Sequence, residues 1–122
     1  MAREDLTASP DGATLRHLAS GLEIVRRRKH EPVDLSGLTR DQLRQNTDKR
    51  AGSKFTSDWS LEKLVVWVGE QVERLGWAPG TARSSDITLD SPVGHFVGKE
   101  SRTIRIISDG RYVHAFPVED PQ

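Results

Sequence analysis

The sequence predicts an α+β domain in which N-terminal helices pack on a C-terminal antiparallel sheet of three to four strands. Three observations carry this. Apolar residues recur at helical spacing in the first part of the chain, most cleanly from Leu61 to Leu75. From Thr81 onward the pattern turns to short β-branched or aromatic runs separated by turn residues. The links between those runs are too short for crossover helices, which favours antiparallel pairing.

Residues 1–12 hold the turn cluster Ser9-Pro10-Asp11-Gly12 with no apolar period before it, and are expected to form a flexible leader. A single domain over 13–118 follows, with 119–122 as a tail; 122 residues suffice for one core and hardly two. From Ala13 to about Lys29, Leu15, Leu18, Leu22 and Val25 fall on one helical stripe, which predicts a first helix weakened by Gly21. The run Arg26-Arg27-Arg28-Lys29-His30 would close it. Cations suit the negative end of a helix, and the same run also suits phosphate.

Glu31-Pro32 breaks the pattern, and Thr39 is placed to N-cap a short helix through Gln45. The clearest helix runs from Leu61 to Leu75, with Asp58 or Ser60 as its cap and the stripe Leu61, Leu64, Val65, Val68, Val72 and Leu75. Gly76 and Pro79 supply its stop, and Trp59, Trp67 and Trp77 border the packed face. Strands are expected over Asp86–Asp90, Val93–Gly98, Arg102–Ser108 and Arg111–Phe116.

Eighteen basic and eighteen acidic side chains cancel, so the whole molecule exerts no long-range pull on nucleic acid or on an anionic membrane. Residues 1–57 carry eleven Lys and Arg against eight Asp and Glu, and 58–122 carry seven against ten, a mild asymmetry. The absence of cysteine removes disulfides, thiolate metal sites and a cysteine nucleophile, and fits the cytoplasm. No apolar run is long enough to span a membrane or serve as a signal core. No His, Asp and Glu grouping has metal-ligand spacing, and phosphate-loop and dinucleotide fingerprints are missing, so no cofactor is expected.

Asp109-Gly110 between two strand-like runs predicts a β-hairpin with a two-residue turn. In that register Arg105 faces His114 and Ile107 faces Tyr112. Ile104, Ile106, Val113 and Ala115 share the core face by alternation. The other face presents Thr103, Arg105, Ile107, Tyr112, His114 and Phe116. Arg pairs with phosphate, Tyr and Phe stack on bases, and His moves protons near neutral pH, so this face suits RNA. It also reads as an ordinary solvated sheet face. His95 lies in a probable strand, either as a structural histidine or as an acid–base partner of His114, whereas His17 and His30 are read as solvated.

Over about residues 46–118 the chain resembles bacterial EndoU-type endoribonuclease toxin domains. The likeness lies in Lys49-Arg50-Ala51-Gly52-Ser53-Lys54-Phe55, Asp58-Trp59-Ser60-Leu61-Glu62-Lys63-Leu64, Ile104-Arg105-Ile106, and Asp109-Gly110 through His114-Ala115-Phe116-Pro117. The resemblance implies the fold shared by barnase, colicin and RelE ribonucleases, metal-independent cleavage of RNA (tRNA among the substrates), and a cognate immunity protein as partner of an active toxin. The chain departs from the family between Asn46 and Ser53, where the family's histidine pair is missing, and it has His114 where the family has threonine.

The catalytic set expected on these grounds is His114, Arg105, Lys54, Tyr112 and His95, with Lys49, Arg50 and Phe116 as RNA contacts. Two other readings are a non-catalytic RNA- or protein-binding module on the same fold, and an immunity or regulatory protein.

Overall fold

Two helices and eight strands form among the described residues of the structure, a computed structural model that describes residues 14–25, 30 and 32–121. In chain order they are β1 (Thr14–His17), β2 (Glu23–Val25), α1 (Arg40–Thr47), β3 (Lys54–Phe55), α2 (Leu61–Leu75), β4 (Arg83–Thr88), β5 (Gly94–Phe96), β6 (Lys99–Ser101), β7 (Thr103–Ser108) and β8 (Tyr112–Val118). The fold is α+β, with most of its elements strands. The leader 1–12 and the basic residues 26–29 lie outside the described residues.

Helix α2 follows from its ends and its stripe. Ser60 accepts the Lys63 amide at 3.1 Å as N-cap, and Gly76 closes the helix in the left-handed region at φ 69°. Leu64, Val65, Val68 and Val72 are buried against Leu15, Ile24, Ile104, Ile106, Val113 and Ala115 of one large sheet. Trp59 and Trp77 are also buried in this core, with Trp67 packed at its margin. Helix α1 starts with a capping box in which Thr39 and Gln42 exchange hydrogen bonds at 3.0 and 3.1 Å.

Residues 14–25 form a hairpin, β1 against β2, and not the expected first helix. Gly21 sits at φ 103° in the turn, its amide donating to Leu18 O at 3.0 Å, while the Leu18 amide donates to Leu22 O at 2.8 Å. Leu22 and Ile24 are both buried, a period of two that a helical stripe through Leu22 and Val25 does not contain. Of the expected stripe Leu15 and Leu22 are buried, Leu18 and Val25 are only half-buried, and Ile24, outside the stripe, takes a core position.

The large sheet has the order β1-β2-β8-β7-β4. Strand β2 pairs with β8 in parallel and the other neighbours pair antiparallel, so the sheet is mixed. Both helices and strands β3 to β7 lie between the two partners of the parallel pair, so the short C-terminal links do not forbid it. A second sheet, β3-β5-β6, is antiparallel and packs on β8. Gly94 makes that contact close: a Cβ there would lie 2.2 Å from Lys54 O and 2.6 Å from Pro117 Cγ.

The β7–β8 hairpin forms, but its register differs from the expected one by two residues. Ser108 pairs with Val113, Ile107 with His114, Arg105 with Phe116, and Thr103 with Val118. Asp109 has negative φ, so a two-residue turn with two left-handed positions is not made; Gly110 alone adopts positive φ, at 101°. The Asp109 carboxylate instead accepts the amides of Arg111 and Tyr112 at 2.9 and 2.8 Å, widening the loop. A shift of two keeps each residue on its predicted face. The two-residue turn with both φ positive lies elsewhere, at Val97 (φ 50°) and Gly98 (φ 78°) between β5 and β6, inside what the sequence suggests is one strand.

The expected tail is tied down through Asp120. Its carboxylate accepts the Arg102 amide at 2.8 Å and the Thr103 hydroxyl at 2.9 Å.

Candidate functional site

The face of the large sheet turned away from α2 carries Arg105, Ile107, Tyr112, His114 and Phe116, all half-buried. Phe116 is its centre. The His30 ring stacks on it with centroids 4.6 Å apart and planes at 19°, and the His114 ring lies 5.7 Å away at the same tilt. Position 114 is two residues from 116, so both side chains leave β8 on one face. His30 arrives from the other end of the chain, just beyond β2.

His30 is held by the segment before β3. Its Nδ1 lies 2.8 Å from Ser53 O and 3.2 Å from Ser53 Oγ. A carbonyl oxygen only accepts, so Nδ1 carries the proton, and in the neutral ring Nε2 is the basic nitrogen. The position of one imidazole nitrogen thus follows from a backbone atom.

Beside this stack opens a cleft of about 510 Å³, walled by His30, Lys49, Ser53, Phe96, Arg105 and Phe116 among others. That volume lies in the range of small-ligand sites. His30 and His114 also both border a small void of about 20 Å³ above Leu61, Leu64 and Ala115. Arg105 reaches the cleft already paired: its Nε and Nη2 donate to the two oxygens of Asp86 at 2.8 and 3.0 Å across β7 and β4. That hydrogen bond is the largest influence on both groups, lowering the Asp86 carboxyl below its ordinary value and raising the guanidinium above its own.

The sequence-predicted residues divide into two groups. Arg105, Phe116 and Lys49 line the cleft, and His114 lies on the Phe116 ring. Lys54 and His95 do not join them. They pair with each other and with Glu100 in one row of the small sheet, and alternation turns that row away from the Phe55 and Gly94 row that packs on β8. The Lys54 ammonium donates to the carbonyls of Ala51 and Gly52 at 2.6 and 2.9 Å, bracing the loop that holds Ser53. His95 Nδ1 is buried without a hydrogen-bond partner.

Tyr112 stands at the turn end of the hairpin with Arg111 4.8 Å from its ring, and Arg111 in turn bonds Glu23 at 3.2 Å. Arg50 is exposed, its amide bonded to Asp48. Lys54, His95 and Tyr112 therefore stand apart from the cleft that Arg105 lines and from the ring on which His114 lies. The residue that the sequence reading left out is His30. Its only local signal is a place at the end of a basic run, and tertiary packing brings it to Phe116.

No family model matches this chain, and no curated protein or solved structure does. Geometry alone therefore bears on the chemistry of the cleft. Two imidazoles lie on one aromatic ring, and a lysine and an arginine line the cleft beside it together with Phe96 and Pro117. Such a set can stack a base, hold a phosphate and move a proton. Among the described residues there is no group of three His, Cys, Asp or Glu placed to hold a metal ion, and no helix is long and apolar enough to cross a membrane.

Proposed function

We propose that this chain is a ribonuclease-type domain that binds single-stranded RNA in the cleft over Phe116 and cleaves it with His30 and His114, without a metal. The observation that carries the reading is the pair of imidazoles stacked on Phe116 at the edge of a cleft that Lys49 and Arg105 also line. The family's histidine pair is absent from 46–53, and two histidines from distant segments supply equivalent chemistry.

In the step that fits, the basic nitrogen of His30 takes the proton of a ribose 2′-OH. The 2′-oxygen bonds to phosphorus, the P–O5′ bond breaks, and imidazolium His114 gives its proton to the leaving 5′-oxygen. The products are a 2′,3′-cyclic phosphate and a 5′-hydroxyl. Lys49 and Arg105 offset the charge that builds on the phosphorane. A toxin role against tRNA or other cellular RNA, with an immunity protein as partner, extends this reading and rests on the resemblance alone.

The test is incubation with total RNA and with short oligonucleotides. Cleavage lost in both His30→Ala and His114→Ala, with folding intact by circular dichroism, supports the assignment. Intact RNA at high protein concentration rejects catalysis.

The Asp86 pair favours one second reading, a module that binds RNA without cutting it, because it engages two nitrogens of the arginine best placed to steady a transition state. Binding without cleavage, weakening steeply with salt and lost in Lys49→Ala, selects that reading.

A further inference from the structure

The cleft over Phe116 does not end at Phe96. A second cavity of about 510 Å³ continues from it, and the two share Lys49, Phe96 and Glu119 as a common wall. Phe96 borders both, so the groove carries two aromatic rings, Phe116 in the first chamber and Phe96 at the boundary of the second. Lys49, the cation common to both chambers, stands where a phosphate linking two nucleosides would lie.

The second chamber differs in charge. Its wall holds Lys99 together with the exposed carboxylate of Glu119, and a second carboxylate, Asp120, already accepts the Arg102 amide and the Thr103 hydroxyl. Carboxylates repel a phosphate and accept N–H groups. A base edge with an amino group satisfies them, whereas a carbonyl at the same position opposes them. Cytosine and uracil differ at that position while having the same shape.

Resting on the proposed RNA-binding role of the cleft, we infer that the second chamber is a base subsite: a second nucleobase stacks on Phe96, and Glu119 selects the amino-bearing cytosine over uracil. The occupied groove thus holds a dinucleotide, one base in the first chamber beside the His30–Phe116 stack, the linking phosphate at Lys49, and the other base on Phe96.

The position of the rings is fixed by the fold. Phe96 ends β5 immediately before the tight turn Val97-Gly98, and the amides of both turn residues donate at 2.7 Å to Thr47 at the end of α1, to its carbonyl and its hydroxyl. The Phe96 ring is half-buried, so its loss alters the groove more than the core.

The test uses 2′-O-methyl dinucleotides, which cannot be cleaved, titrated into the whole chain by calorimetry. CpC should bind more tightly than UpU, and either more tightly than the mononucleotide. Phe96→Ala should weaken both dinucleotides on the order of tenfold, as expected for the loss of one base stack, and weaken the mononucleotide by much less. Phe96→Tyr should restore binding, and Glu119→Ala should level CpC with UpU. Dinucleotide binding that Phe96→Ala leaves intact overturns the second subsite and leaves the first. Equal affinity for CpC and UpU overturns the base preference. Failure of every nucleotide to bind, together with intact total RNA, overturns the RNA reading and the subsite with it.

Discussion

Asp86 receives Nε and Nη2 of Arg105 on its two carboxylate oxygens, so a cation in the cleft wall is paired across β4 and β7 before any ligand arrives. The Asp86 carboxyl lies below its ordinary value in the folded chain, chiefly through this hydrogen bond. A depressed carboxyl contributes stability that is present above its unfolded pKa, about 3.9, and lost as pH falls through the folded value. Both side chains are more than two-fifths exposed (44% and 43%), so solvent screening keeps the contribution under about 1 kcal/mol. Asp86→Asn should therefore lower stability at pH 7 by under about 1 kcal/mol and flatten the acid limb of an unfolding curve below about pH 4, where the two chains converge. It should also tighten binding of a non-cleavable oligonucleotide, because Arg105 then meets phosphate without a competing carboxylate. Weaker binding would show that Asp86 positions the guanidinium for the ligand.

Val97 holds φ 50° beside Gly98 at φ 78°, and a β-branched residue pays for that conformation. Hydrogen bonds from both amides to Thr47, which is fully buried, keep the turn in place. Val97→Asn should keep those amides and relieve the strain, for a gain of roughly 1 kcal/mol and a midpoint some 4 °C or more higher in a thermal melt. A lower midpoint would mean that the contacts of the half-buried valine outweigh the strain.

Gly94 has no room for a methyl group. Its Cβ position meets the Lys54 carbonyl oxygen and the Pro117 ring, and the first of these is backbone that only moves with β3. Gly94→Ala should cost about 3 kcal/mol, at the upper end for overpacking, and push the small sheet away from β8. Because Phe96 and Ser53 belong to that sheet and its approach, loss of RNA binding should accompany the loss of stability. Unchanged binding in a folded Gly94→Ala chain would separate the cleft from the seating of the small sheet.

The legible parts of this fold are those that local chemistry dictates. Ser60 and Gly76 bound α2 without help from the rest of the chain, and Thr39 with Gln42 does the same for the start of α1. The two faces of β7 and β8 were readable because alternation survives a register shift of two, although the register itself depends on an Asp109 side chain that captures two amides. The N-terminal hairpin was not legible. Leu15 and Leu22 satisfy a helical stripe as well as a strand pattern, and only pairing with β8 selects the strand. The candidate site was half legible: Arg105, His114 and Phe116 follow from one hairpin, whereas His30 and Phe96 reach Phe116 only through packing of separate segments.

That packing predicts a specific pH dependence. If His30 is the base and His114 the acid, cleavage needs one neutral and one protonated imidazole. kcat/KM should then trace a bell with one limb from each imidazole. His30 Nδ1 is fixed on Ser53 O, so His30→Ala removes the nitrogen that takes the 2′-OH proton. The variant should lose activity by about 10²- to 10⁴-fold, and the limb that falls toward low pH should vanish from what remains. His114→Ala should remove the opposite limb. If the variants exchange limbs, the two roles are reversed within the same site. If both limbs persist in both variants, the proton transfers occur elsewhere on the chain, and the stack on Phe116 serves only to hold a base.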